Sequence, residues 1–376
     1  MKIVLRSVLI ILTASITSCK PEMVDFRPIY EIEIFESNNN QPTDIIQTEE
    51  GVLVTGWEFK NGVNSIILKL DRNGNIIDSI KTNDDKNSRL TKLIKGSNSQ
   101  TYWIGFKENG ALWIKLLDKE LNLKTEKIYE SLKYFNYYSQ FNCFMDSEDN
   151  IEVQVEYNNI FYAIKIDSKL NFLEMESYEL LEKFGDGTYQ LVDNNDLKHP
   201  CFSNYGKNTL LASILTTKEQ GLDSIHSTKK EFYPSIIRYL DNNKFLIAGT
   251  HRVNDSRGNW RLDLLNNNKP TSILLFDRPG HDHITDVSVF KNHFVLAGAF
   301  ENENYEEKLD KENPLSFMDF MSGSGLIVVN LKGKVIGSYN GKIKYGKYKK
   351  ILITNDIVTL IGQKDQKWFI EAVKIE

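Results

Sequence analysis

Cysteine, histidine and proline are scarce in this chain. Of 376 residues, three are cysteine, six histidine and eight proline. Three cysteines cannot build a disulfide framework, so packing must hold the fold. The sequence has no Cys-x-x-Cys, no Gly-x-Ser-x-Gly and no phosphate-cradling glycine loop. A redox pair, a nucleophile elbow and a nucleotide cofactor therefore have no motif to stand on, and no cofactor is expected. Positive charge is not in excess either. Lys and Arg number 46 against 51 Asp and Glu, a net charge of −5. That balance argues against a nucleic-acid partner, because phosphate binding needs a basic face. No apolar run is long enough to span a bilayer.

What is present begins with an address. Lys2 and Arg6 make a short basic start, and residues 8–17 form an apolar stretch. That length suits a signal h-region. The stretch ends in Ile16-Thr17-Ser18-Cys19, which resembles the lipobox of bacterial lipoproteins. The resemblance implies diacylglycerol on Cys19 and cleavage before it, with 1–18 as signal peptide. It places the protein on the bacterial cell envelope, lipid-anchored and facing the periplasm or the surface. The other reading is an ordinary secretory leader with a chance cysteine. Cys143 and Cys201 remain, and outside the cytoplasm they either pair or stay as two buried thiols.

The body of the chain is repetitive. Gly56, Gly105, Gly249, Gly298 and Gly362 each follow a short apolar run. They recur at about 48 residues or a multiple of it, with one longer final interval of about 64, a period that marks stacked units. Within a unit, β-branched and aliphatic runs alternate with Asn/Asp/Gly turns, as strands do. The first unit starts at Asp44-Ile45-Ile46, turns at Glu49-Glu50-Gly51 and closes after Asp71-Arg72-Asn73-Gly74. A second ruler is the third-strand ending Lys69-Leu70-Asp71, repeated as Leu116-Leu117-Asp118 and Lys165-Ile166-Asp167. The fourth unit is the weakest copy, with its third strand expected at 209–215.

Four short strands per unit, repeated about seven times, resemble the blades of a β-propeller. The fold expected is all-β, a seven-bladed β-propeller over residues 29–376, with 19–28 as its tether. Neither the Trp-Asp ending of WD40 blades nor the glycine pairs of kelch are present, so the resemblance names an architecture and no functional family. A β-solenoid is the rival, although its coils are usually shorter. The chain ends on a third strand, 368–374, and Tyr30-Glu31-Ile32-Glu33-Ile34 alternates apolar and acidic residues. This N-terminal strand is expected to complete the last blade, close the ring and cover an edge.

In a propeller the loops between second and third strands, and the links between blades, open on one face. On that face the sequence concentrates its unusual residues. Blade 5 contributes His251, Arg252, Asp255, Arg257, Trp260 and Arg261, and the link to blade 6 adds Arg278, His281, Asp282 and His283. Arg forks bind carboxylate or phosphate, and Trp offers a stacking surface. The His281-x-His283 spacing with His251 or Asp282 raises metal binding or a general base, against the plainer reading of a polar loop. No metal site is assigned.

Blade 6 carries a long insertion at 301–324, either a lid or a surface excursion. Aromatic residues gather in the links at Tyr134, Phe135, Tyr137, Tyr138, Phe184, Phe232, Tyr233, Tyr345 and Tyr348. They suit glycan or peptide recognition, or else pack between blades. Asp71-Arg72-Asn73-Gly74-Asn75 faintly resembles a calcium loop and reads better as a strand-linking turn. The expectation is a binding or scaffold module for a protein, peptide or glycan. The alternative is a glycan-active hydrolase or lyase using the same His/Arg/Asp cluster.

Overall fold

The computed structural model describes residues 23–34, 40–59, 62–82, 88–132, 141–180, 189–193, 201–206, 209–218, 221–227, 232–241, 244–254, 257–266, 269–276, 282–301, 322–341, 346–364 and 366–376, with backbone alone over 201–227. These residues form seven four-stranded antiparallel sheets. In chain order they span 41–81, 89–129, 141–179, 189–227, 232–276, 283–340 and 346–375, and the last adds Phe26–Ile34 at its outer edge. These are the blades of a β-propeller, numbered 1 to 7 below.

The middle strands explain why the sequence reads as continuous apolar runs. Thr101–Phe106 and Leu112–Leu117 are buried at every position. A strand covered on both faces shows no alternation. The outermost strands differ, and Ile76–Lys81 and Phe172–Glu179 are mostly exposed.

The core is divided into clusters, each of which bridges two neighbouring blades. Leu53 and Ile67 of blade 1 meet Trp103 and Trp113 of blade 2. Ile104 and Ile114 meet Val153 and Ile164 of blade 3. Phe161 and Leu180 meet Leu191 of blade 4, and Val192 meets Phe232 and Ile247 of blade 5. Trp260 and Leu262 meet Val287 and Leu296 of blade 6. Val295 and Val328 meet Leu360 and Phe369 of blade 7, whose Ile361 and Trp368 return to Val54 and Leu68 of blade 1. A fully buried Leu, Ile or Val in such a cluster contributes about 1.5–3 kcal/mol, so no blade holds its core alone.

One turn type recurs. Asp71 Oδ1 accepts the N–H groups of Asn73 and Asn75, while Oδ2 accepts the Asn75 amide. Asp118, Asp146 and Asp167 repeat the arrangement with Asn122, Asn150 and Asn171. The Asn75 amide is the largest influence on Asp71 and helps hold its carboxyl below the usual range. Both oxygens are engaged by the turn itself, which favours the strand-linking reading over a calcium loop.

The recurring glycines do not end their strands, which continue past them in each case. They face irregularities in the innermost strands. Those strands skip one residue in register at Pro42/Asp44, Leu90/Lys92, Pro234/Ile236, Ile284/Asp286 and Tyr348/Lys350. An unmatched residue bends its strand and drives backbone toward the partner. At Gly105 an added Cβ would lie 1.8 Å from the Arg89 carbonyl oxygen. At Gly298 it would lie 2.1 Å from the His283 carbonyl oxygen and 2.4 Å from the Trp260 ring.

The expectation of a seven-bladed ring closed by the N-terminal strand is corrected on two points. First, only six of the seven sheets are full blades. Six have strands of five residues or more, whereas blade 4 opens with the three-residue Tyr189–Leu191. Second, the N-terminal strand is not established as what closes the ring. It does pair with Lys367–Ile375, from Phe26 opposite Ile375 to Ile34 opposite Trp368. Most of its side chains are exposed or half-buried, however, and only Tyr30, Ile32 and Ile34 flank the cluster between blades 7 and 1. The blades themselves make the junction. Trp368 Nε1 donates to the Trp57 carbonyl at 3.2 Å, Gln363 Nε2 to the Asn40 carbonyl at 2.9 Å and the Asn40 N–H to the Gln366 carbonyl at 3.0 Å.

Gly105→Ala is expected to lose about 2–4 kcal/mol, because the clash is with backbone that cannot rotate away. Chemical denaturation of the variant measures this, and an unchanged midpoint with unchanged slope would remove the close-approach explanation.

Candidate functional site

The innermost strands, and in blade 4 the residue two past Leu191, bring one residue per blade toward the central channel: Asp44, Lys92, Cys143, Asp193, Arg238, Asp286 and Lys350. Six are ionisable groups of alternating sign in ring order, and Cys143 interrupts the alternation between Lys92 and Asp193. Asp193 is the node. Lys350 of blade 7 pairs with it, Arg238 of blade 5 lies at 3.4 Å and Lys92 of blade 2 at 4.0 Å. Arg238 also pairs with Asp286 of blade 6 at 2.6 Å. Blades that are not neighbours in the ring thus share one carboxylate.

The bulged strands are stitched sideways by the same residues. Asp44 Oδ2 accepts the Leu93 N–H of blade 2 at 2.9 Å, and Asp286 Oδ2 accepts the Ile351 N–H of blade 7 at 2.8 Å. The Asp193 carbonyl accepts the Ile237 N–H at 2.9 Å. An unmatched strand residue leaves backbone groups without ladder partners, and each such group needs one.

At two carboxylates of this ring, Asp44 and Asp193, burial pushes the carboxyl up and nearby cations pull it down. At Asp193 burial is outweighed by Lys350, Lys92 and Arg238 together, and its carboxyl is held well below the usual range. At Asp44 burial wins over Lys92, Lys350 and the Leu93 N–H, and its carboxyl is raised. Lys92 and Arg238 overcome their own burial through the facing carboxylates and are held charged. Burial raises the Cys143 thiol, which keeps it protonated, and Cys143 is a free cysteine.

Above the ring lies a cavity of about 400 Å³. Its wall comes from six blades, through Pro42, Trp57, Arg89, Thr91, Lys92, Asn142, Asp193, Ser235, Lys349 and Lys350 among others. Apart from Asp193, which follows Tyr189–Leu191, these residues stand near the starts of innermost strands and, for Trp57, beyond a recurring glycine. The cavity therefore opens on the face of the second-to-third-strand loops. Four cations, Arg89, Lys92, Lys349 and Lys350, face one carboxylate, Asp193. The Arg89 guanidinium lies over the Trp57 ring, 4.5 Å from its centroid.

The sequence-derived cluster on blades 5 and 6 is distributed differently from a single patch. The segment 251–261 is a continued hairpin, with His251 opposite Asn259, Arg252 opposite Gly258 and Asn254 opposite Arg257. Trp260 is fully buried against Gly298. The Arg261 fork is taken by Asp263 at 2.8 Å, over the Phe232 ring at 4.9 Å. Asp282 is buried and its carbonyl accepts from Thr250 Oγ1 at 3.2 Å. His283 is exposed, with Nδ1 3.4 Å from Thr250 Oγ1.

His251 follows Thr250 in one strand, so its side chain leaves the opposite face of the sheet from the one that meets His283. Among the described residues no group of three or more His, Cys, Asp or Glu is placed to hold a metal. Asp255, Arg278 and His281 lie outside the described residues, as do the side chains of Arg252 and Arg257. So do Cys19, the side chain of Cys201, and 302–321 of the blade 6 insertion. Of the link aromatics that are described, Phe232 and Tyr348 are packed inside, and the Tyr348 hydroxyl donates to the buried Glu371.

Sequence reasoning missed the channel ring. Its signal was available: Asp44-Ile45-Ile46, Lys92-Leu93-Ile94 and Lys350-Ile351-Leu352 each place a charge before an apolar pair, and Asp286-Val287 places one before a valine.

No protein-family model matches the sequence, and no curated protein matches it. Solved structures do resemble it. The β-propeller domain of the trilobed protease from Pyrococcus furiosus, described as having an open velcro topology, superposes with a TM-score of 0.54. The identity is 10%, covering 90% of this chain and 94% of that one. The Dos1 propeller gives a TM-score of 0.49 at 13% identity, covering 89% and 77%. A protein of unknown function from Bacteroides caccae gives 0.45 at 10%, covering 78% and 94%. The chain is a β-propeller protein. The likeness carries the fold alone; neither a blade number nor a closing strand transfers from it.

Asp193→Asn is expected to cost about 1–3 kcal/mol at pH 7, less than a fully buried pair because the node retains some solvent contact. The pH dependence has a definite sign. A carboxyl depressed in the fold gives stability above its ordinary value near 3.8 and loses it as pH falls through the lower folded value. Thermal melts between pH 7 and pH 2 should show a steep acid loss for the parent and a shallower one for the variant. Parallel curves would mean that Asp193 is not the node.

Proposed function

We propose that this protein is a binding or scaffold module of the bacterial envelope, held at a membrane by lipid on Cys19. It engages a protein, peptide or glycan through the face on which the channel cavity opens. The observation that carries this reading is the cavity of about 400 Å³ walled by six blades. That size is in the range of small-molecule and side-chain pockets. The sequence places its longest departures from the repeat, the blade 5 hairpin and the 301–324 insertion, on the same face.

A binding role is favoured over a hydrolase or lyase by how the channel carboxylates are engaged. Asp286 is paired with Arg238 and a backbone N–H, Asp193 with cations, and Asp44 with a backbone N–H. Groups so committed hold geometry; a general acid or base needs a proton it can exchange with substrate.

Two measurements test the reading. Cys19→Ala should move the protein from the membrane to the soluble fraction and abolish labelling by a clickable palmitate analogue; labelling that persists would remove the anchor. Detergent-solubilised full-length protein, screened against envelope glycans and peptides, should lose its strongest interactions when Trp57→Ala alters the cavity face. It should keep them when Glu49→Lys alters the opposite face. The reverse pattern would move the site off the channel mouth.

A further inference from the structure

We propose that the channel mouth is an anion site. It takes a carboxylate or phosphate group, which competes with Asp193 for Lys92 and Lys350. This rests on the reading that the cavity face is the binding face, and it names the chemistry recognised there.

Around the ring, Asp44, Asp193 and Asp286 balance Lys92, Arg238 and Lys350. The cavity does not meet that balanced set as a whole. Lys92, Lys350 and Asp193 line it, whereas Asp44, Arg238 and Asp286 do not. Arg89 and Lys349 add two further cations at the rim. The described wall therefore presents four positive groups to one negative group, in a chain whose net charge is −5.

Accessibility follows from the exposure of the node. The side chains of Lys92, Lys350 and Asp193 keep 20, 16 and 26% of their exposure, whereas Asp286 keeps 4%. The Asp193 carboxylate is thus an internal anion in an open cavity, held by cations of blades 2, 5 and 7. An external oxyanion of the same geometry can share those donors from the solvent side. Charge-assisted bonds from Lys and Arg suit carboxylate and phosphate oxygens alike. Trp57, Pro42, Thr91, Asn142 and Ser235 line the remaining wall and give the body of such a ligand apolar and hydroxyl surfaces.

The internal competitor gives the test its sign. Isothermal titration of the full-length protein in detergent uses glucuronate and inorganic phosphate as probes, with glucose as the neutral control. At least one anion is expected to bind, and glucose is not. Asp193→Asn should tighten anion binding about tenfold, since it frees two cations, although it loosens the fold. Lys349→Gln, in the cavity lining, should weaken binding several-fold. Glucuronate binding without phosphate identifies a carboxylate source, and phosphate binding without glucuronate a phosphate source. Absence of anion binding in both the parent and Asp193→Asn would overturn the proposal. So would equal binding of glucose, or weaker binding by a folded Asp193→Asn. If Asp193→Asn does not fold, the Lys349→Gln result decides in its place. Glycan or peptide binding lost with Trp57→Ala, alongside no anion binding, would sink this inference and leave the proposed function standing.

Discussion

An unmatched residue in the innermost strand is the constraint on which much else depends. It occurs in blades 1, 2, 5, 6 and 7, each time opposite a recurring glycine. A residue that the partner strand cannot match bends the strand and frees backbone groups from the ladder. Those groups are then satisfied sideways. Leu93 and Ile351 donate to carboxylates of the preceding blade, and Thr43 Oγ1 donates to the Thr91 carbonyl at 2.8 Å. One local irregularity thus requires glycine outside it and supplies a blade-to-blade bond inside it. It also places a charged residue at the channel.

The charges around the channel face a problem of parity. Seven positions in a closed ring cannot alternate in sign throughout, because the last would repeat the sign of the first. The chain meets this with one uncharged member. Cys143 stands between Lys92 and Asp193, and burial keeps its thiol protonated. Without a charged group there, Lys92 and Asp193 approach each other across the gap at 4.0 Å. The cross-channel pairing of Asp193 with Lys350 follows from the same deficit: blade 4 presents a carboxylate whose neighbour on one side offers no cation. Buried ion pairs are weak evidence of stability but good evidence of a fixed arrangement. Here the arrangement ties blade 4, the most reduced blade, to blades 2, 5 and 7.

The repeat and the strands were legible in the sequence because burial on both faces writes an uninterrupted apolar run, as at Thr101–Phe106, and turns write Asp and Asn. Glycine marked the period for a reason that only the structure supplies, the close backbone approach at positions such as Gly105. Blade 4 was the faintest copy, and its first strand is the shortest. The site was less legible. Trp260 and Arg261 looked like surface groups because adjacent residues of a strand cannot be assigned to its faces without a register. The register puts Trp260 against Gly298, and Arg261 meets Asp263. Lys92 and Lys350 looked like ordinary strand charges, because nothing in a single blade reveals that seven first strands share one axis.

The position of the cavity links these two levels. Asp and Asn turns close the opposite face with short loops whose carboxylates already satisfy their own backbone. On the cavity face the strands run past the glycines, so side chains such as Trp57 stand at the rim, next to cations that the bulged inner strands hold below. The residues below are stitched by carboxylates and backbone. A preorganised polar surface lowers the ordering cost of binding. In the proposed anion site, recognition of a charged group falls to residues that also hold the ring together. Under that proposal a change at Asp193 or Lys350 alters binding and stability at once.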